Sequence, residues 1–243
     1  MTEPSDVWPE PLEGAPLTGR ASAELALGTA AREASDLARS LVPTGPVRMS
    51  YAGTLVAEAR QLTALAGRVL AAAVAVERAD GTPWADIAAA TGEETEQARS
   101  RWEPMVRHWD AAIEQAAVPG GPEDAPEPRA ALAELDAWVV RHREPSDASA
   151  GDRPVSAALG RMDPHHELLH LAAVRRHLAA LHDGSSPPAQ LLDLVEREAL
   201  LEEHLAATAD PADRADHEQA ADRARTIAAH LRARTDRGDR PAG

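Results

Sequence analysis

An all-α fold is predicted, and three observations carry that expectation. Alanine and leucine supply nearly all the apolar residues, phenylalanine is absent and aromatics are only 2% of the 243 residues. Both are strong helix formers, and the β-branched and aromatic residues that favour strands are scarce. Apolar residues also recur at three- and four-residue steps, the period of one helix face, and prolines stand where helices would begin. A core of Ala and Leu buries little area per residue, so modest stability, aided by a partner chain, is expected.

Residues 1–19 hold four prolines and no helical period, and they read as a mobile arm. A first helix is expected from Ala21 to Leu41, ended by Pro43-Thr44-Gly45-Pro46. A second runs from about Ser50 to Ala79, where Tyr51, Leu55, Ala59, Leu62, Leu65 or Ala66, Val69, Ala73 and Val76 form a stripe. Asp80-Gly81 stops it. A short helix over Thr82–Thr91 and another from Glu94 to about Ala117 follow. The stretch Val118–Pro128 has the composition of a linker. It divides a helical domain over 20–117 from a C-terminal helical region over 129–243. That region should hold a short amphipathic helix around Trp138, then helices over Pro164–Asp183, Ala189–Thr208 and Pro211–Arg234. Short connections suggest an antiparallel bundle.

Charge and composition exclude several classes. A net charge of −15 argues against coating nucleic acid by bulk electrostatics, though not against a local reading surface. Without cysteine there are neither disulfides nor thiolate metal sites. All 25 basic residues are arginine, which reads as genome composition rather than function. The acidic start lacks the features of a signal peptide, and no apolar run approaches bilayer length. A cytoplasmic location without membrane contact is expected.

The information-rich segment is Gly81-Thr82-Pro83-Trp84-Ala85-Asp86-Ile87-Ala88 through Thr91-Gly92-Glu93-Glu94 to Ala98-Arg99-Ser100-Arg101-Trp102. Thr82 can cap a helix and Pro83 presets its first φ. Ile87 should face a core, Ala88 and Ala98 allow close helix approach, and Gly92 supplies a left-handed turn. Trp102 and Trp84 should close that core, with the helix ending at Ala79 as support. These residues, 81–102 only, resemble the helix-turn-helix of actinobacterial DNA-binding regulators. The resemblance implies contact with double-stranded DNA through Thr95, Gln97, Arg99, Ser100 and Arg101, with Arg101 partly structural. Three positions depart from the family pattern: Thr91 replaces a usual leucine, Glu93 a usual Val or Ile, and Glu94 a usual Ser or Thr cap. Carboxylates there suit a helix dipole but repel phosphate.

His166-Glu167-Leu168-Leu169-His170 spells the zinc-peptidase pattern, in which two histidines hold metal and the glutamate is a base. It lies at the very start of a helix, and His177 is about 10 Å further along the axis, too far to share a metal with His170. Solvated histidines are the favoured reading, with no metal and no cofactor. Six arginines in Arg223–Arg240 read as cations gathered at a helix C-terminus. The functional expectation is a non-enzymatic DNA-binding regulator, with the C-terminal helices forming a homodimer or protein contact. An all-α adaptor is the first alternative, and a zinc hydrolase using the 166–170 segment the second.

Overall fold

The structure, a computed structural model, describes residues 9–42, 51–116, 128–144, 151–181 and 188–238. Among them are eight helices and no β-strand. They are α1 (Gly19–Leu41), α2 (Thr54–Ala79), α3 (Trp84–Thr91), α4 (Thr95–Ala116), α5 (Pro128–His142), α6 (Pro164–Leu181), α7 (Pro188–Thr208) and α8 (Pro211–Gly238). The all-α class follows. The stretch expected to be a linker lies outside the described residues except at Pro128.

The chain forms two compact units. One comprises Leu17–Ile113 with Asp124–Gly160. In it, the Thr18 hydroxyl accepts from the Ala21 amide at 3.1 Å and caps α1. Arg20 lies 3.0 Å from Asp80 and Arg68 lies 2.9 Å from Glu33, so α1 and α2 run antiparallel. The division at residue 129 does not describe the packing, because α5 belongs with α1. Leu17, Ala21 and Leu25 form one core with Ala131, Leu132 and Leu135. Gly28 permits the approach, since a Cβ there would stand 3.1 Å from Leu135 Cδ1. Behind α5, the buried Asp136 accepts from the Val155 and Ser156 amides at 2.8 and 3.0 Å and from the Ser156 hydroxyl at 2.6 Å. Burial pushes this carboxyl up, and those bonds together with Arg153 outweigh it, holding it below the ordinary aspartate range.

The other unit comprises Met1–Pro16, Glu114–Glu123 and Arg161–Gly243. As expected, Pro164, Pro188 and Pro211 begin its helices. Val195 and Ala199 of α7 pack on Ala224, Ala228 and Leu231 of α8, where the small residues let the axes come close. On the other side of α7, Leu194 and Leu201 join Leu171, Val174 and Leu178 of α6.

The mobile-arm expectation is corrected over residues 9–18. Leu12 packs on the α6–α7 core, Ala15 and Leu17 are buried, the Met162 amide donates to Pro16 O at 2.9 Å, and Arg161 reaches Ala15 O at 3.0 Å. Proline content alone does not make a segment loose, and here a turn closed by the Ala15 amide on Leu12 O at 3.0 Å holds it.

One further expectation needs correction. α2, with 26 residues, is long and apolar enough by length and composition to cross a membrane, and 22% of its most apolar stretch is buried. Glu58, Arg60, Gln61, Thr63 and Arg68 break its apolar sequence into short runs, which hides it from a scan for uninterrupted stretches.

Candidate nucleic-acid interface

The site is built on the C-terminal end of α2. Gly81, with φ +81°, takes the left-handed conformation that ends the helix, and the Thr82 amide donates back to Glu77 O at 3.0 Å. Thr82 does not cap α3. Its hydroxyl donates to the Glu77 carboxylate at 2.6 Å, and the capping residue is Pro83, whose carbonyl accepts from the Asp86 amide at 3.1 Å. Trp84 lies under the Arg78 guanidinium, 4.8 Å from the ring centroid.

Between α3 and α4, Gly92 sits at φ +71°, ψ +27°. A Cβ there would meet nothing within 4 Å, so glycine is required by the backbone angle and not by space. Val74 of α2, Ile87 and Ala88 of α3, and Ala98 and Trp102 of α4 form one buried cluster, bordered by Trp84, Met105 and Val106. Every residue that the sequence assigned to this small core is in it or on its edge. The Glu94 carbonyl accepts the Ala98 amide at 2.9 Å, so Glu94 begins α4 by its backbone while its side chain stays exposed.

Thr95, Gln97, Arg99, Ser100 and Arg101 are all exposed. They do not make one patch. At about 100° per residue, Thr95 and Arg99 lie on one flank of α4, and Arg101 lies on the other, about 160° from Arg99. The outermost ridge runs through Glu96, Ser100 and Arg107, with Gln97 beside it. Arg99 Nε is 3.5 Å from Glu103, an exposed pair that water and salt weaken. Pro104 lies inside the helix and has no N–H to donate to the Ser100 carbonyl.

Arg101 has partners within its own unit. Its guanidinium donates to Glu93 Oε1 at 2.5 Å and lies 4.6 Å from the Trp102 ring centroid. The other oxygen of Glu93 accepts from Trp102 Nε1 at 3.3 Å and lies 3.4 Å from the Thr91 hydroxyl. Thus the departures at Thr91 and Glu93 belong to one polar knot that closes the turn over Trp102. Sequence reasoning missed the knot. The usable signal was a polar residue on either side of Gly92, facing an indole N–H that needs an acceptor when buried.

The 166–170 segment has a structural use. Asp163 accepts the His165 and His166 amides at 3.0 and 3.2 Å, and its other oxygen contacts His166 Nδ1, so Asp163 caps α6. Burial pushes the Asp163 carboxyl up, and these contacts more than offset it, leaving it below the ordinary range. Glu167, 2% exposed, is held by both arms of Arg197 at 2.6 and 3.0 Å. A carboxylate so engaged is not available as a base. His170 is half-buried one turn further on. Among the described residues, no group of three or more His, Asp and Glu side chains is placed to hold a metal ion. Of the C-terminal arginines, Arg225 pairs with Glu203 at 2.9 Å and Arg232 with Glu196 at 2.7 Å, while Arg240 lies outside the described residues.

Comparison of the chain with protein-family models, with curated proteins and with solved structures finds no match.

Proposed function

We propose that the chain is a DNA-linked regulator in which α2, α3 and α4 form a helix-turn-helix and α4 meets the major groove. The observation that carries this reading is the small buried core of Ile87, Ala88, Ala98 and Trp102 about a left-handed Gly92, with the first turns of α4 exposed above it. Gln97 and Ser100 are short enough to reach base edges, and Arg99 supplies the mobile cation. Arg101 serves the turn and is withdrawn from the contact set.

Binding on this reading is weak at physiological salt. Glu94 and Glu96 precede the reading residues, and few arginines are available to displace counterions. Affinity measured for single variants tests it. Arg99→Ala should lower affinity and flatten the salt dependence by about one counterion. Glu94→Ser should raise affinity by removing a carboxylate that faces phosphate. Equal affinity of both variants and the parent chain would overturn the reading.

A second reading has a specific observation behind it. Glu96 on the outer ridge of α4, Glu103 paired with Arg99, and the engagement of Arg101 give this face the charge of a protein-contact surface. On that reading the chain is a non-enzymatic adaptor and α3–α4 is its docking face.

A further inference from the structure

The acids at the start of α4 fall into two groups. Glu93 is held by Arg101 and the Trp102 indole, and Glu103 lies 3.5 Å from Arg99. Glu94 and Glu96 are exposed, and neither carboxylate has a hydrogen bond or ion pair among the described residues. These two differ in place. Glu94 precedes the helix and opens it through its carbonyl. Glu96 belongs to the first turn. At about 100° per residue it stands about 160° from the buried Ala98 and about 120° from the buried Trp102, which fix α4 to its core. Ser100, one turn on, stands about 160° from both. Glu96 and Ser100 therefore share the side of α4 that faces away from its own unit.

We propose that Glu96 is a base-reading residue and that it selects a cytosine in the major groove. The inference rests on the DNA reading and names the base that α4 would take. An ionised carboxylate only accepts hydrogen bonds. The major-groove edge offers it two donors, the N4 amine of cytosine and the N6 amine of adenine. Guanine N7 and O6, adenine N7 and thymine O4 are acceptors and repel it. Adenine sets N7 beside its amine, whereas the cytosine amine is flanked on its own base by C5–H. Cytosine is thus the base that satisfies Glu96 without a second acceptor from the same ring. Ser100 can donate or accept, so it does not narrow the choice.

Exclusion matters as much as attraction. Entry into the groove strips water from Glu96, and over a base without an amine its carboxylate faces acceptors alone. A charge that weakens binding in general then acts as a filter on sequence. Glu94, facing phosphate, only weakens binding, and Glu96 sets which sites remain. Glu96 also suits the helix dipole, but that role shows in stability and not in base preference.

The test is selection of double-stranded DNA from a randomised library by the full chain at about 50 mM salt, repeated with Glu96→Ala and Glu96→Gln. The parent chain should enrich sites with one fixed C·G pair. Replacing that cytosine by thymine should weaken its binding by roughly 5- to 150-fold. With Glu96→Ala that penalty should vanish while the rest of the selected sequence stays. With Glu96→Gln the preference should move to adenine, whose N6 and N7 together suit an amide. Unchanged melting curves should show that both variants fold, since the carboxylate is exposed and unpartnered. The same enriched sequence for the parent and Glu96→Ala, with affinity unchanged or raised equally at every site, would overturn the inference and leave the DNA reading standing. No enriched sequence for the parent chain would overturn both.

Discussion

Glu93 and Arg101 are bound across the turn of the α3–α4 unit, with Nη1 and Oε1 2.5 Å apart, while the second oxygen of Glu93 holds the Trp102 indole. The residue that departs from the family pattern thereby occupies the arginine that the pattern would offer to DNA. Removing either partner should therefore act on the fold first. Glu93→Ala should lower the stability of this unit by about 1–2 kcal/mol, because the Trp102 N–H loses its acceptor. Arg101→Ala should cost less, about 0.5 kcal/mol, since that guanidinium is 60% exposed. A double-mutant cycle by urea denaturation checks both values. Strict additivity would mean that the pair is incidental.

Gly92 gives a sharper contrast. With φ at +71° and open space around it, Gly92→Ala should cost about 1–2 kcal/mol through backbone conformation alone. Gly92→Asn should cost much less, because asparagine tolerates the left-handed region. Thermal melts of the two variants separate backbone strain from crowding: equal losses would mean that side-chain space, and not φ, limits the turn.

How much of this was legible in the chain differs by level. Ile87, Ala88, Gly92, Ala98 and Trp102 could be placed because the segment resembles a helix-turn-helix, where a tight helix pair admits few residue types at those positions. The partner of α5 could not. Its stripe of Leu132 and Leu135 says that it packs on something, and only the tertiary structure puts it against Leu17, Ala21 and Leu25, far away in sequence. The loop held by Asp136 was hidden for the same reason. Charge pairing was the least legible feature: Arg99 and Arg101 are both exposed arginines of α4, and only the structure shows that Glu103 lies beside the first and that Glu93 holds the second.

Asp136 should make the first unit sensitive to acid. Its folded pKa is below its unfolded value, so its contribution is fully present above the unfolded value, about 3.9, and is lost as pH falls through the lower folded one. Asp136→Ala should cost about 2–3 kcal/mol at neutral pH by leaving the Val155 and Ser156 amides without an acceptor. It should also reduce the loss of stability on acidification below about pH 4. Chemical denaturation of both proteins at pH 7 and pH 3 checks this. A difference between parent and variant that is the same at both values would contradict it.

Glu167 and Arg197 tie α6 to α7, and the 166–170 segment should behave as structure. Glu167→Ala should destabilise the second unit by about 1–3 kcal/mol, since it removes the buried carboxylate that holds the half-buried Arg197 guanidinium. His170→Ala should change the melting temperature little. Added zinc should leave the melting curve unchanged at a few equivalents. A rise of several degrees with zinc, abolished by His166→Ala, would return the metal reading.

The most direct test of the DNA reading is a binding screen of the purified full chain against fragments of its own genome at about 50 mM salt. The expected result is retention of a limited set of fragments, weakened by Arg99→Ala, strengthened by Glu94→Ser and lost steeply between 50 and 200 mM salt. No retained fragment for the parent chain, and none gained by Glu94→Ser, would contradict it and leave the exposed face of α4 as a protein-contact surface.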